Sequence, residues 1–422
     1  MRPRLGSGGY NAAMSRLSRL VTAVALVLAT LPASCSQTIV RRMVPTPIVM
    51  QDPRLDFSRI VAPDRRATEV SVFFATTRAP APPEAPERYT SRTALPGCSS
   101  ASQDGPTTTS SSPTARAVRR RRARRADERE LVAAIDRQVE REPDRSVVIY
   151  VPGYRATFDQ VMVLMGSWAH FLGSSSTVIA FSWPTGTRFW NYLFDCPRAR
   201  AFVPDIARLI ALVAEQSQAR RLNLVAFSCG SPLLAEALVQ LRQAHPDEDR
   251  DALQRHYRIA NDIFIAADID LQTFARSHLP ALSDMSRRTE VYLSEDDAAL
   301  RFAGLLARAS RLGRPRFDEL TREDLETLAS DERLITIDVT GVEGPHELTG
   351  IRGHGYWIAN QRVSSDVLLS MVYPFDPAWR GLVHGPGPGM WTFPDDYPKR
   401  VGDAVYQELP AIHRAAIHGE AH

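Results

Sequence analysis

The stretch Leu222-Asn223-Leu224-Val225-Ala226-Phe227-Ser228-Cys229-Gly230-Ser231-Pro232 decides the fold. Its first six residues are a largely apolar run, which predicts a strand buried on both faces of a sheet. From Pro232 to Gln243 the apolar residues recur at helical spacing. A serine at the apex between them is the setting of a nucleophile elbow, a sharp strand-to-helix turn that lifts the hydroxyl above the sheet edge. Small residues are needed two positions to either side, because strand and helix backbones approach closely there; Ala226 and Gly230 meet that need. The plainer reading is a serine that caps the helix starting at Ser231 or Pro232. Strand, turn and helix in the right order favour the nucleophile.

Outward from this turn, strand-like and helix-like segments alternate. Strands are expected at Ser146–Val151, Thr177–Ser182, Leu222–Phe227, Asp262–Ala267, Glu290–Leu293 and Leu334–Val339, and an earlier one at Glu69–Ala75. Helices are expected at Phe158–Leu172, Ala199–Gln216, Pro232–Gln243 and Ala298–Ala309. This alternation implies βαβ units in an α/β fold with a doubly wound, mostly parallel sheet. The expected domain runs over 131–373, with the strand at 69–78 added to it. Residues 36–68 read as a tether and 374–422 as an irregular tail. Residues 79–130, rich in Pro, Ser, Thr and Arg, read as a disordered insertion.

A serine hydroxyl needs a base, and the base needs an orienting carboxylate. Behind a nucleophile elbow these follow in the order acid, then histidine. Ser294-Glu295-Asp296-Asp297 closes the second strand after the elbow, and His354 stands between two glycines after the third. The expected set is therefore Ser228, Asp297 and His354. Glu295 or Asp296, and Asp268 or Asp270 one strand earlier, remain alternatives for the acid, and His346 for the base. Asp297 could instead merely cap the helix at Ala298. The oxyanion hole is expected from two backbone N–H groups, those of Cys229 and of Tyr154 in Pro152-Gly153-Tyr154-Arg155.

Composition narrows the remaining classes. The chain has 422 residues, 44% hydrophobic and 23% charged, with a formal net charge of +3. Much of that excess sits in Arg116–Arg125, so nothing points to nucleic acid. Four cysteines (Cys35, Cys98, Cys196, Cys229) lack metal-ligand spacing, and neither a metal nor an organic cofactor is expected. A Cys98–Cys196 bridge is conceivable in an exported chain, and Cys229 is expected to pack rather than react. Arg16 and Arg19 precede the apolar run Leu20–Leu31 and then Pro32-Ala33-Ser34-Cys35, the build of an export signal over residues 1–35. Small residues before Cys35 also resemble a lipoprotein signal, making Cys35 a lipidation candidate. The expected location is thus membrane-anchored, periplasmic or secreted.

Several blocks together carry a resemblance: Val72-Phe73-Phe74-Ala75-Thr76-Thr77-Arg78, Val151-Pro152-Gly153-Tyr154, Phe181-Ser182-Trp183-Pro184, Tyr192-Leu193-Phe194-Asp195, Ala226–Gly230, Ala267-Asp268-Ile269-Asp270, Tyr292–Leu300 and Gly353-His354-Gly355-Tyr356. In this order they resemble a bacterial α/β-hydrolase family of unknown function. The resemblance implies an α/β-hydrolase fold, the triad Ser228, Asp297 and His354, and frequent lipoprotein status. The expected reaction is hydrolysis of an ester, thioester or amide through an acyl-enzyme, with a small-molecule or lipid-like ester as first choice and attachment to the membrane through the lipid if Cys35 carries one. The sequence departs from the family at Pro152 and Phe227, where histidines are usual, and at Cys229, where methionine is common. A catalytically silent hydrolase fold serving as a cell-envelope binding or assembly protein is the alternative.

Overall fold

Apolar strands and amphipathic helices assemble as alternation requires. The computed structural model describes residues 44–52, 54–55, 69–82, 89–93, 99–106, 128–142, 144–172, 176–186, 191–342, 353–372, 375–385, 387 and 389–408. In chain order these form β1 (Glu69–Thr76), β2 (Arg78–Pro80), β3 (Tyr89–Thr93), β4 (Ser99–Pro106), α1 (Glu128–Val139), β5 (Ser146–Val151), α2 (Phe158–Phe171) and β6 (Ser176–Ser182). There follow α3 (Tyr192–Ala199), α4 (Val203–Gln216), β7 (Arg221–Phe227), α5 (Gly230–Ala244), α6 (Arg250–Tyr257) and β8 (Ile259–Ile265). The last third holds α7 (Leu279–Met285), β9 (Thr289–Leu293), α8 (Ala298–Ala307), α9 (Arg322–Ser330), β10 (Leu334–Asp338), α10 (Gln361–Val372), β11 (Val383–His384), β12 (Met390–Thr392) and α11 (Tyr397–Glu408).

Ten strands make one sheet in the order β11-β12-β10-β9-β8-β7-β5-β6-β1-β4, and β2 pairs with β3 separately. Every pairing from β1 through β6, β5, β7, β8, β9 and β10 to β12 is parallel. Only the outermost pairs, β1 with β4 and β11 with β12, are antiparallel. This is the expected α/β-hydrolase architecture, a doubly wound and mostly parallel sheet. Parallel strands flanked by crossover helices are buried on both faces, which is why β5 is apolar at every position but its first. Alternate residues feed two cores. Val147, Ile149 and Val151 pack with α1, α4 and α5, whereas Val148 and Tyr150 pack with α2 and α10.

Three boundary expectations change. The segment expected as a disordered insertion supplies β3 and β4, and β4 pairs with β1 along all eight residues from Glu69–Pro106 to Thr76–Ser99. Its Ser- and Gly-containing sequence hides a strand because it lacks the apolar alternation by which a strand is read. The described part of the expected tether, 44–52 and 54–55, instead packs. Val44, Val49 and Leu55 are buried, Ile48 N–H donates to Ser365 Oγ at 2.7 Å, and Arg54 reaches Asp403 at 2.7 Å. The tail holds β11, β12 and α11, whose Val401 and Val405 are buried at i, i+4. Cys35, Cys98, His346 and the whole 1–35 signal lie outside the described residues.

Candidate functional site

Ser228 follows the last residue of β7 with φ +51°, the left-handed region that a non-glycine residue occupies at a cost of about 1–3 kcal/mol. The surrounding backbone fixes it there. Ser228 N–H donates to the Ile265 carbonyl at 3.0 Å, and its own carbonyl accepts from Ser231 at 2.9 Å and Asp268 at 3.3 Å. A Cβ on Gly230 would lie 2.5 Å from the Val151 carbonyl oxygen, so only glycine lets α5 start this close to β5.

Asp297 is the N-cap of α8. Its Oδ1 accepts the Leu300 N–H at 2.9 Å, and its Oδ2 meets His354 Nδ1 at 2.7 Å. The capping role weighed against catalysis is thus real, and the same carboxylate makes both contacts. His354 Nε2 lies 2.9 Å from Ser228 Oγ. The three side chains form a continuous hydrogen-bonded series in which Asp297 is 0% exposed, Ser228 6% and His354 9%.

The backbone brings His354 here through two contacts. Gly353 has φ +73°, and a Cβ there would collide with the Asp296 carbonyl. Two residues on, the Tyr356 hydroxyl donates to the Tyr292 carbonyl at 2.9 Å and accepts from Ala266 N–H at 2.8 Å, tying the histidine turn to the ends of β8 and β9. The Phe227 ring, 5.1 Å from the imidazole, backs it. Burial disfavours the imidazolium, but the Asp297 carboxylate, by charge and hydrogen bond, and the charge of Asp268 outweigh it. His354 is held above its ordinary value.

The rival acids are engaged elsewhere. Asp268 accepts from the Tyr192 hydroxyl at 2.6 Å and pairs with Arg311 at 3.3 Å. Asp270 caps the turn at Leu271–Thr273, and Asp296 accepts from Gly341 N–H at 3.1 Å. Glu295 is exposed, and the bond it makes to Thr340 Oγ1 comes from its backbone N–H rather than its carboxylate. Tyr154 lies just past β5, its ring 5.9 Å from Tyr192. Cys229 is the N-cap of α5, so its N–H is among the amides that a helix start leaves without intrahelical partners.

The Cys98–Cys196 bridge that the sequence left conceivable gives way to another: Cys196 is bonded to Cys229, with Cα atoms 5.7 Å apart. Cys229 therefore does more than pack. Thirty-three residues separate the two, and nothing in sequence spacing brings α3 over the elbow. Among the described residues, Cys196, Cys229 and Asp268 are the one group with metal-ligand geometry. As a disulfide the two sulfurs lack thiolate character, and Asp268 is occupied by Tyr192 and Arg311. No described helix is long and apolar enough to cross a membrane.

A family model described as "Alpha/beta hydrolase of unknown function (DUF900)" matches residues 127–370, more than half of the chain. The chain belongs to this family. Membership agrees with the resemblance read from the motif blocks, and all three residues of the hydrogen-bonded series fall within the matched region. Among solved structures the chain is similar to a metagenomic carboxyl esterase at 18% identity and a TM-score of 0.22, covering 40% of this chain. The chain spans 57% of that esterase's length. No curated protein matches. For this DUF900 hydrolase, Phe227 against the imidazole and the Cys196–Cys229 bond are what sequence reasoning missed at the site. A cysteine directly after the candidate nucleophile was the available signal.

Proposed function

We propose that this α/β hydrolase is a serine esterase that cleaves carboxylic esters through an acyl-enzyme. The observation that carries the reading is the series Ser228 Oγ, His354 Nε2, His354 Nδ1 and Asp297 Oδ2, joined at 2.9 and 2.7 Å. Ser228 attacks the ester carbonyl while His354 Nε2 takes its proton, and Asp297 stabilises the imidazolium that results. The tetrahedral oxyanion accepts hydrogen bonds from the N–H groups of Tyr154 and Cys229. His354 then returns the proton to the departing alkoxide, which leaves as the alcohol. Water repeats the sequence on the acyl-enzyme, with His354 as its base, releasing the acid and restoring Ser228. A small-molecule or lipid-like ester fits this chemistry, and no organic cofactor enters it.

Export belongs to the same reading. The basic and apolar segments before Cys35 support it, and so does a structural disulfide, which persists in oxidising compartments. A fluorophosphonate probe tests the central step, because an activated serine attacks phosphorus as it attacks an acyl carbon. Labelling of Ser228 in the folded protein, absent in Ser228→Ala, is the expected result. A folded wild-type protein that stays unlabelled removes the reading.

A further inference from the structure

The disulfide ends at the residue after the candidate nucleophile, and its other end lies on a helix that gains little from packing. Helix α3 has eight residues, includes Pro197, and buries only Ala199. Leu193 is 48% exposed and Phe194 60%. So small an apolar contact places such an element at the low end of local stability. Four specific ties hold it instead, and all run to turns at the carboxyl ends of central strands. Cys196 is bonded to Cys229 after β7. Tyr192 donates to Asp268 after β8. The Tyr192 ring meets Tyr154 after β5. Asp195 Oδ2 accepts the Gly186 N–H, after β6, at 2.7 Å.

Two of these partners, Tyr154 and Cys229, are the residues whose amides would bind the oxyanion. One weakly packed helix therefore touches both halves of that site, one through a ring and the other through a covalent bond. We infer that Cys196 is a positioning residue: through its disulfide to Cys229 it clamps α3 across the oxyanion hole, so that turnover depends on the oxidised bond. The inference rests on the reading of Ser228 as nucleophile. Opening the bond leaves α3 on its three non-covalent ties and frees the Cys229 turn from the helix that also carries Tyr192. Oxyanion donors act by preorganisation, and losing one costs about 10²–10³ in kcat, so loosening both is expected to cost about 10-fold or more.

The test uses the full chain and p-nitrophenyl butyrate as probe substrate, with fluorophosphonate labelling in parallel. Dithiothreitol opens the bond by thiol–disulfide exchange, leaving Cys196 and Cys229 as thiols and the reagent as its cyclic disulfide. Cys196→Ala is expected to lower kcat by about 10-fold or more with KM moved less than about 3-fold, since the loss falls on the transition state. Dithiothreitol should bring wild-type protein to the same level, reoxidation should restore it, and Cys196→Ala should not respond. A folded Cys196→Ala protein with wild-type kcat overturns the inference. If that variant does not fold, reduction of the wild type decides. A kcat that falls as the two thiols appear upholds the clamp, and one that stays constant with both thiols free removes it. Oxidised wild type that fluorophosphonate does not label instead removes the Ser228 reading itself, and the clamp with it.

Discussion

The Tyr192 hydroxyl donates to Asp268 at 2.6 Å, a bond that favours Asp297 over Asp268 as the proposed partner of the histidine. Asp268 is spent on Tyr192 and on Arg311, whereas Asp297 Oδ2 meets His354 directly at 2.7 Å. Asp297→Asn is therefore expected to lower kcat by about 10⁴, as loss of the orienting carboxylate does in other triads, and Asp268→Asn by far less. Asparagine caps helices as well as aspartate does, so the melting temperature of Asp297→Asn should stay close to wild type. Steady-state kinetics beside a thermal melt check both; a crippled Asp268→Asn with a mild Asp297→Asn would reverse the assignment.

His354 gives the pH dependence its sign. It must be neutral to take the Ser228 proton, so kcat/KM rises with pH as the imidazolium is lost. Because Asp297 and Asp268 hold the group above its ordinary 6.5, the acid limb should lie above pH 6.5. Asp268→Asn removes one of the charges that favour the imidazolium, so its limb should move to lower pH. A pH–rate profile with the limb unmoved in that variant contradicts the electrostatic account.

Away from the site, Arg380 is fully buried between Glu290 at 3.0 Å and Asp366 at 3.2 Å, and the Tyr292 hydroxyl donates to Asp366 at 2.7 Å. Burial pushes Asp366 up to about 6 against the pull of Arg380. Arg380→Met leaves buried Asp366 without its cation and Glu290 with Arg288 at 3.5 Å, and should destabilise the fold by about 3–5 kcal/mol at neutral pH. Without Arg380 the Asp366 carboxyl rises further, so its charged form is costly above that value and the penalty is relieved as pH falls. Urea unfolding at pH 7 and pH 5 should show the gap from wild type narrowing at the lower pH.

Cys35 sets the expectation for location. If small residues before it direct lipidation, fractionation finds the protein with membranes, and Cys35→Ser releases it or blocks its processing. One acyl chain anchors only marginally, so two or more are expected on the mature N-terminus. Mass spectrometry of that terminus reads the outcome directly, and an unmodified start at Ser36 contradicts it.

Much of this was legible in the sequence because its signals are local. The run Ser146–Val151 is β5 to the residue, and the elbow needed only a strand, a serine and a helix in succession. Asp297 and His354 followed from chain order and from glycines around the histidine. Illegible features depend on partners remote in sequence. β12 is three residues long and exists because β10 lies beside it. β4 lacks the apolar alternation of a half-buried strand and is defined by pairing with β1. The Cys196–Cys229 bond requires knowing that α3 crosses the elbow, which no spacing encodes.

The two jobs of Asp297 bear on how relatives should be sorted. A lineage that abandoned hydrolysis would still need a residue to accept the Leu300 N–H at the head of α8. Selection for folding alone would therefore preserve an aspartate there, or admit asparagine or serine, long after turnover was lost. His354 shows no such second employment: among the described residues its ring nitrogens meet Asp297 and Ser228. In an alignment of the family, an intact aspartate at this position would thus say little about activity. The histidine is the character by which working members and idle ones would part company.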